Sequence, residues 1–523
     1  RLKKIYEGIT WSSAKTSDWK RENANINGDT AMGNLLKYGS ESAKAYFQAY
    51  VLKPEFAAAH AAGDIHIHDL DFYTFTTTCT QIDILKLFHG GFSGTLGHLR
   101  EPNDISTYSA LACIALQSNQ NDQHGGQSIA NFDYGMAEGV RKTFVKRYRE
   151  NLARAIELNL SDADAEDAVK SLSAKIVRES GLTPSLEGDG AYLALERSAL
   201  SARYGISEQQ VTAFQSFAHR HAKSETERAT YQAMESLLHN LNTMESRAGA
   251  QVPFSSLNYG MDTSPEGRMA VKNLLLATEA GLGGGETPIF PIQIFRVKDG
   301  VNFNPGEPNY DLFKLACRCS AKRLFPNFIF QDAPFNLPYY QPGHPETEIA
   351  TMGCRTRVVT NVHDPDRAIT YQRGNLSFTS INLPRLAIEA HGDLDAFYAG
   401  LDRMLDLCVA QLLERFEIQS HRLARNFPFL MGQGFWLDSD CLKPDDEVRE
   451  VLKHGTLSIG FIGLAEALVA LTGEHHGQSE ESQTLGLAII SRMRARTDAE
   501  TEKQTLNFSL LATPAEGLAD RFA

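Results

Sequence analysis

Long apolar runs are missing from this 523-residue chain: nowhere does it reach the roughly 18 consecutive apolar residues of a membrane-spanning helix. That argues against a membrane partner. No signal peptide is visible at the start. The first residue is Arg1, so the natural start is expected to lie upstream. Cysteine is scarce, with seven residues at 79, 113, 317, 319, 354, 408 and 441. An odd, scattered set is no disulfide framework and fits reduced thiols in a cytoplasm. Excess positive charge is missing too: 51 Lys and Arg face 64 Asp and Glu, a net −13. Such a surface argues against a nucleic-acid polymer as partner, because backbone phosphates need a basic face. A nucleotide needs only a few local donors. Repeats and low-complexity tracts do not occur. What remains is 42% hydrophobic and 22% charged, enough for a packed core of about three domains or one large α/β barrel.

Residues 1–60 read as a polar helical segment with a loop at Asn25–Asp29, followed by the rest of the chain, 61–523. Asp64-Ile65-His66-Ile67-His68-Asp69 alternates with period two, as a strand does. Long helices are expected over 137–178 and 207–246, the second opened by a capping-box pattern, Ser207 to Gln210. A loop or small insertion lies between them. Beyond residue 250, candidate strands (250–258, 287–297, 326–332, 350–360, 375–383, 426–431, 456–462, 505–512) alternate with candidate helices (265–281, 309–323, 393–422, 461–472, 479–504). That alternation implies parallel strands joined by helical crossovers. With strands near His66 and Cys79 the count approaches ten. Periodicity alone does not separate a barrel from an open sheet.

Two cysteines sit in strand-like runs: Cys79 in Thr76-Thr77-Thr78-Cys79-Thr80-Gln81-Ile82-Asp83, and Cys354 in Met352-Gly353-Cys354-Arg355-Thr356. Gly353 allows backbone dihedrals or a close approach closed to other residues. Each cysteine also reads as a buried structural thiol. Cys113 and Cys408 sit among apolar residues at core spacing. Cys317-Arg318-Cys319 is too tightly spaced for a usual zinc pair and no second pair completes four ligands, so no metal site is expected. His66 and His68 share a strand face, as two ligands would, but a third is missing; hydrogen-bonded structural histidines are the plainer reading. Gly125-Gly126 lets backbone N–H groups approach a phosphate or base. Asn375, in Arg373-Gly374-Asn375-Leu376-Ser377, also suits a turn after glycine. Gly283-Gly284-Gly285 reads as a helix stop.

Taken in order, the Cys79 run, Asn121-Asp122-Gln123-His124-Gly125-Gly126-Gln127-Ser128, the Cys354 run and Arg373-Gly374-Asn375-Leu376-Ser377-Phe378-Thr379-Ser380-Ile381-Asn382-Leu383-Pro384-Arg385 resemble the large subunit of class III (anaerobic) ribonucleotide reductases, which are glycyl radical enzymes. The resemblance runs from Glu22-Asn23-Ala24-Asn25 to Ser509-Leu510-Leu511-Ala512-Thr513-Pro514. It implies a ten-stranded α/β barrel and reduction of ribonucleoside triphosphates to deoxyribonucleotides in the cytoplasm. Cys354 would be the thiyl residue and Cys79 the hydrogen-atom donor. Asn375, which can only hydrogen-bond where a Glu would act as base, goes with formate as reductant. His66, His68, Gly125, Gly126, Ser377 and Thr513 would line the substrate site. ATP and dNTP effectors, an iron–sulfur activase that cleaves S-adenosylmethionine, and a homodimer are the partners implied.

The resemblance also implies a glycyl radical loop and Cys-x-x-Cys zinc pairs near the C-terminus. No Gly-Tyr dipeptide occurs in the chain, and no such pairs follow Thr513-Pro514-Ala515-Glu516-Gly517. The chain is therefore expected to be truncated and inactive alone, with radical glycine and structural zinc outside it. Two alternatives stay open: a lyase-type glycyl radical enzyme and a non-catalytic nucleotide-binding remnant.

Overall fold

Local signals in the sequence start and stop most of the helices. Thr30, Asp104, Asp189, Ser264, Asp393 and Ser479 each cap a helix by accepting from a backbone N–H of its first turn. Ser207 and Gln210 complete a reciprocal capping box on the 34-residue helix Glu208–Leu241. Gly63, Gly181 and Gly205 close helices in the left-handed conformation. The structure, a computed structural model, describes residues 2–12, 30–94, 97–247, 251–353, 356–514 and 518–522. The expected loop 25–29 lies outside them. Helices Leu2–Ser12, Ala31–Tyr50 and Pro54–Ala62 precede the first strand. Among the described residues, no helix is long and apolar enough to cross a membrane.

Thirteen strands are described: β1 (Ile65–Ile67), β2 (Thr80–Ile82), β3 (Phe92–Gly94), β4 (Gly97–Leu99), β5 (Gln127–Ile129), β6 (Ser255–Tyr259), β7 (Ile292–Val297), β8 (Asn327–Phe330), β9 (Thr351–Met352), β10 (Thr356–Arg357), β11 (Asn375–Asn382), β12 (Thr456–Ile462) and β13 (Asn507–Ala512). Five form one parallel sheet in the order β2-β5-β6-β7-β8. A second sheet runs β1-β11-β12-β13, parallel except that β1 lies antiparallel on β11. Helices connect the parallel neighbours, as parallel pairing requires.

The two sheets meet along β11. Its C-terminal half pairs with β1. Just before and at its first residue, Gln81 N–H donates to Arg373 C=O (2.8 Å), Gln372 N–H to Gln81 C=O (2.8 Å) and Cys79 N–H to Asn375 C=O (3.0 Å). β1 and β2 thus act as one interrupted strand beside β11, and the Gln81–Arg373 register is antiparallel. The fold is α/β with two parallel half-sheets; Cys79 lies at this junction, and β9, which precedes Cys354, packs on β2, β5 and β6.

Some elements differ from expectation. Residues 426–431 form turns, not a strand: Phe429 and Leu430 N–H both donate to the buried Asp122 carboxylate (2.8 Å each), and Pro428 has no N–H to give a ladder. The stretch is apolar because it is buried, with Phe427, Phe429, Leu430 and Met431 all in the core. The helix expected over 137–178 is two, Phe132–Leu160 and Ala165–Ser180, separated at the left-handed Ser161. The region expected as a loop or small insertion contains a helix, Gly190–Tyr204. The helix stop lies at Gly281, ahead of Gly283.

Candidate active site

Cys79 lies just before β2 at the junction of the two sheets, partly buried. Its sulfur accepts from Gly126 N–H at 3.3 Å. Burial, reinforced by the Asp69 carboxylate, pushes the Cys79 thiol up to about 12, against the pull of the Gly126 N–H and Arg247. At neutral pH it is therefore an S–H group and not a thiolate. Two glycines make this packing possible. A Cβ on Gly125 would collide with Thr78 C=O, and one on Gly374 with Cys79 C=O. The N–H groups of Gly125 and Gly126 are both engaged within the chain, by Thr78 C=O (2.7 Å) and by Cys79. These glycines act through close approach, not as free donors for a phosphate.

Cys354 lies outside the described residues, but the strand leading to it does not. β9 and β10 form a short antiparallel hairpin. Gly353, at its tip, has φ +62°. It donates its N–H to Ser256 Oγ (3.2 Å). The position a Cβ would take on Gly126 is 3.7 Å from Gly353 N, with Phe254 beside both glycines. Hence the backbone contact of Cys79 and the residue before Cys354 are neighbours. Further back, Thr351 N–H donates to Asn258 Oδ1 (2.9 Å), and its C=O accepts from Asn258 Nδ2 (3.0 Å) and Ser128 Oγ (2.8 Å). Ile349 N–H donates to Gln331 Oε1 (2.9 Å) and its C=O accepts from Gln331 Nε2 (3.0 Å). Glu348 is buried against Arg296 and accepts from Tyr134 Oη (2.7 Å). Burial moves the Glu348 carboxyl upward, against the neighbouring guanidinium.

Asn375 is the first residue of β11, not a turn residue; its Oδ1 accepts from Ser458 Oγ (3.3 Å), which pairs with Ser509 Oγ (2.8 Å). Its C=O takes both Thr78 N–H (3.1 Å) and Cys79 N–H. Ser377 is fully buried, and its hydroxyl has no partner. Further along β11, His68 stacks on Phe378 (3.8 Å between centroids) and its Nε2 lies 2.8 Å from Ser380 Oγ. Ser380 in turn meets Thr513 Oγ1 at 2.6 Å. Gly460 leaves the room: a Cβ there would strike both hydroxyls. His66 stands edge-on to His68 (4.5 Å) and near His60 (5.3 Å), with its buried Nδ1 unpartnered. Burial, then the neighbouring positive groups, lowers His60 to about 4 and His66 to about 3, and holds His68 well below its ordinary value. This is a neutral hydrogen-bonding face. No cluster of three or more His, Cys, Asp or Glu suited to a metal occurs among the described residues.

The sequence-derived residues thus fall into two groups along β11. Cys79, Gly125, Gly126 and Asn375 meet at its start. His66, His68 and Thr513 gather toward its end, about five residues or roughly 16 Å further on. Glu516 and Gly517 lie outside the described residues. Sequence reasoning missed Asn258, Gln331, Ser256, Arg296 and Glu348. The only trace they leave is a polar residue within an otherwise apolar strand, as in Leu257-Asn258-Tyr259.

Comparison with known proteins bears on this arrangement. The family model for anaerobic ribonucleoside-triphosphate reductase matches residues 22–523. The anaerobic ribonucleoside-triphosphate reductases of Salmonella typhimurium and Escherichia coli are each 30% identical over 489 residues, 92% of this chain. The chain spans 59% of the length of those relatives. That of Enterobacteria phage T4 is 27% identical over 537 residues, with 100% of this chain and 74% of the phage protein covered. Among solved structures, the anaerobic ribonucleotide reductase from Thermotoga maritima in complex with dATP and CTP superposes with a TM-score of 0.59 at 13% identity, covering 100% of this chain and 74% of that one. Another anaerobic ribonucleotide reductase reaches 0.62 at 14% identity, covering 99% and 72%. At such identities these two show the fold. With the family model matched over residues 22–523, the chain belongs to the anaerobic ribonucleoside-triphosphate reductase family.

Proposed function

We propose that the protein reduces ribonucleoside triphosphates to deoxyribonucleoside triphosphates by thiyl radical chemistry, with formate as reductant. The observation that carries this is the meeting of the two cysteine segments: Cys79 Sγ on Gly126 N–H, and Gly126 against Gly353, next to Cys354. Hydroxide leaves an unactivated ribose carbon poorly. Removing the neighbouring 3′-hydrogen as an atom makes the 2′ departure easy. A thiyl radical suits this step because the S–H and activated C–H bonds are similar in strength, so the protein's work is placement and exclusion. A glycyl radical, when present, supplies the oxidation that turns the Cys354 thiol into that thiyl radical. The residues here fit such chemistry: Cys79 stays protonated and so has a hydrogen atom to give on the 2′ side.

Asn375 offers hydrogen bonds without a titratable proton, so it orients a substrate hydroxyl but does not deprotonate it. By the family resemblance, an Asn at this position goes with formate as the electron source: ribose C–OH, formate and one proton give C–H, carbon dioxide and water. Ser377, with its unpaired buried hydroxyl, and the neutral His66–His68–Thr513 face provide the remaining polar contacts for nucleotide or formate. Gly125 and Gly126 would line the substrate site beside Cys79 through close backbone approach. The dATP and CTP of the Thermotoga maritima complex support nucleotide effectors and substrates. An activase, a homodimer and a cytoplasmic setting complete the proposal.

The test uses the full-length activated protein under argon. Cys354→Ala and Cys79→Ala should each abolish deoxynucleotide formation, and labelled formate should yield labelled carbon dioxide in step with product. Substantial product from either variant, or turnover with a thioredoxin system in place of formate, would overturn the corresponding part.

A further inference from the structure

Among the described residues, the segment 349–353, which contains β9, has a strand neighbour on one side only, β10, and packs against β2, β5 and β6. In extended chain the N–H and C=O of alternate residues point the same way. Those of Ile349 and Thr351, and the N–H of Gly353, point away from β10, toward β5, β6 and the end of β8. With no strand there, these buried peptide groups would be orphaned, which native structures avoid. Two side-chain carboxamides take the place of the missing strand. Gln331, just beyond β8, bonds both the N–H and the C=O of Ile349 (2.9 and 3.0 Å). Asn258, on β6, does the same for Thr351 (2.9 and 3.0 Å). A carboxamide is the side chain that copies a peptide: planar, one acceptor, an N–H donor beside it. Both residues are fully buried. Ser128 Oγ on Thr351 C=O and Ser256 Oγ under Gly353 N–H complete the row.

We infer that Asn258 and Gln331 are positioning residues for the reaction. Together they form a surrogate strand that fixes how far the β9–β10 hairpin reaches into the sheet, and hence where the sulfur of Cys354 meets substrate. The inference rests on the reading of Cys354 as the thiyl residue. Its physical part, the clamp, stands apart from that reading. Each carboxamide makes a two-point contact, so it sets register as well as depth. A slip by one residue would turn the side facing the clamps toward β10 and break all the bonds to Ile349 and Thr351 at once.

The variants are Asn258→Asp and Gln331→Glu, equal in size but unable as carboxylates to donate to the carbonyls. Gln331→Met, uncharged and similar in length, is the milder companion. Hydrogen exchange is measured first on residues 1–523. The parent should protect the Ile349–Gly353 amides. In the variants exchange there should rise at least about tenfold, while peptides from β12 and β13 stay unchanged. Unchanged protection at 349–353 would overturn the clamp, whether or not the protein is a reductase. Loss of protection in every strand, in Gln331→Met as well, would make the residues merely structural and overturn the positioning role. Second, in the activated full-length protein, the radical signal and KM should hold while kcat falls on the order of 10- to 100-fold. Accelerated exchange with kcat intact would also sink the inference. A parent that protects 349–353 but forms no deoxynucleotide would retain the clamp, yet it would defeat the reductase reading and with it the positioning role.

Discussion

At Gly374 a single hydrogen atom decides whether the two sheets can close on each other. A Cβ there would run into the Cys79 carbonyl and come within 2.9 Å of Thr80 Cα, both backbone atoms that cannot rotate away. Overpacking of this kind costs about 1–3 kcal/mol when side chains can yield, so Gly374→Ala is expected at or above about 3 kcal/mol. Gly283 is the control, with nothing within 4 Å of its Cβ position. Gly374→Ala should lower the thermal midpoint by several degrees and Gly283→Ala should leave it in place; equal midpoints would refute the steric argument. At the residue scale, part of the candidate arrangement was legible. Cys79, the Gly125-Gly126 turn and Asn375 stood out in the sequence, and the structure brings them together. Their meeting was not derivable from spacing, because Cys79 and Asn375 are about 300 positions apart. Asn258 and Gln331 were invisible for another reason. A lone buried amide has no period, and its value depends on a partner backbone that only the fold supplies.

Elements were legible where local chemistry sets them. The helix Glu208–Leu241 starts where Ser207 and Gln210 exchange hydrogen bonds, Gln210 N–H to Ser207 Oγ (3.3 Å) and Ser207 N–H to Gln210 Oε1 (3.1 Å). Ser207→Ala removes one of these and is expected to cost about 1 kcal/mol. The loss should appear as faster exchange in the first turn, residues 208–211, with the body of the helix unaffected; an unchanged first turn would count against it. Elements were illegible where tertiary contacts outvote local pattern. Residues 426–431 look like a buried strand because burial and a strand's apolar run leave the same trace, and the Asp122 carboxylate that holds the turn comes from the end of a helix about 300 residues earlier. The break at Ser161 was hidden in a polar stretch where a helix and a turn read alike.

For the molecule as a whole, the pH dependence of stability is a contest between two sets of buried groups. Burial lowers His60, His66, His68, His124 and His454. It raises the carboxyls of Asp122, Asp262 and Glu348. The signs are opposite. A histidine with a depressed folded-state value stays neutral in the fold while the unfolded chain takes up a proton below about 6.5, so stability falls as pH drops through that window. A carboxyl held near 6 keeps its proton in the fold while the unfolded chain has lost it, so stability falls as pH rises from about 4 toward 6. The parent's response between pH 5 and 7 is therefore smaller than either set alone would give, and single substitutions uncover the two halves. His66, lowered to about 3, should contribute about 1.4 kcal/mol for each unit below 6.5. His66→Gln should gain on the parent by about 2 kcal/mol between pH 6.5 and 5. Asp122, held at about 6, gives the mirror image: Asp122→Asn can still accept from Phe429 and Leu430, and it should gain on the parent as pH rises from 5 to 7. Thermal midpoints of parent and both variants at pH 5, 6 and 7 decide the matter. Two difference curves of the same slope would mean that burial of these groups does not govern the acid response of this fold.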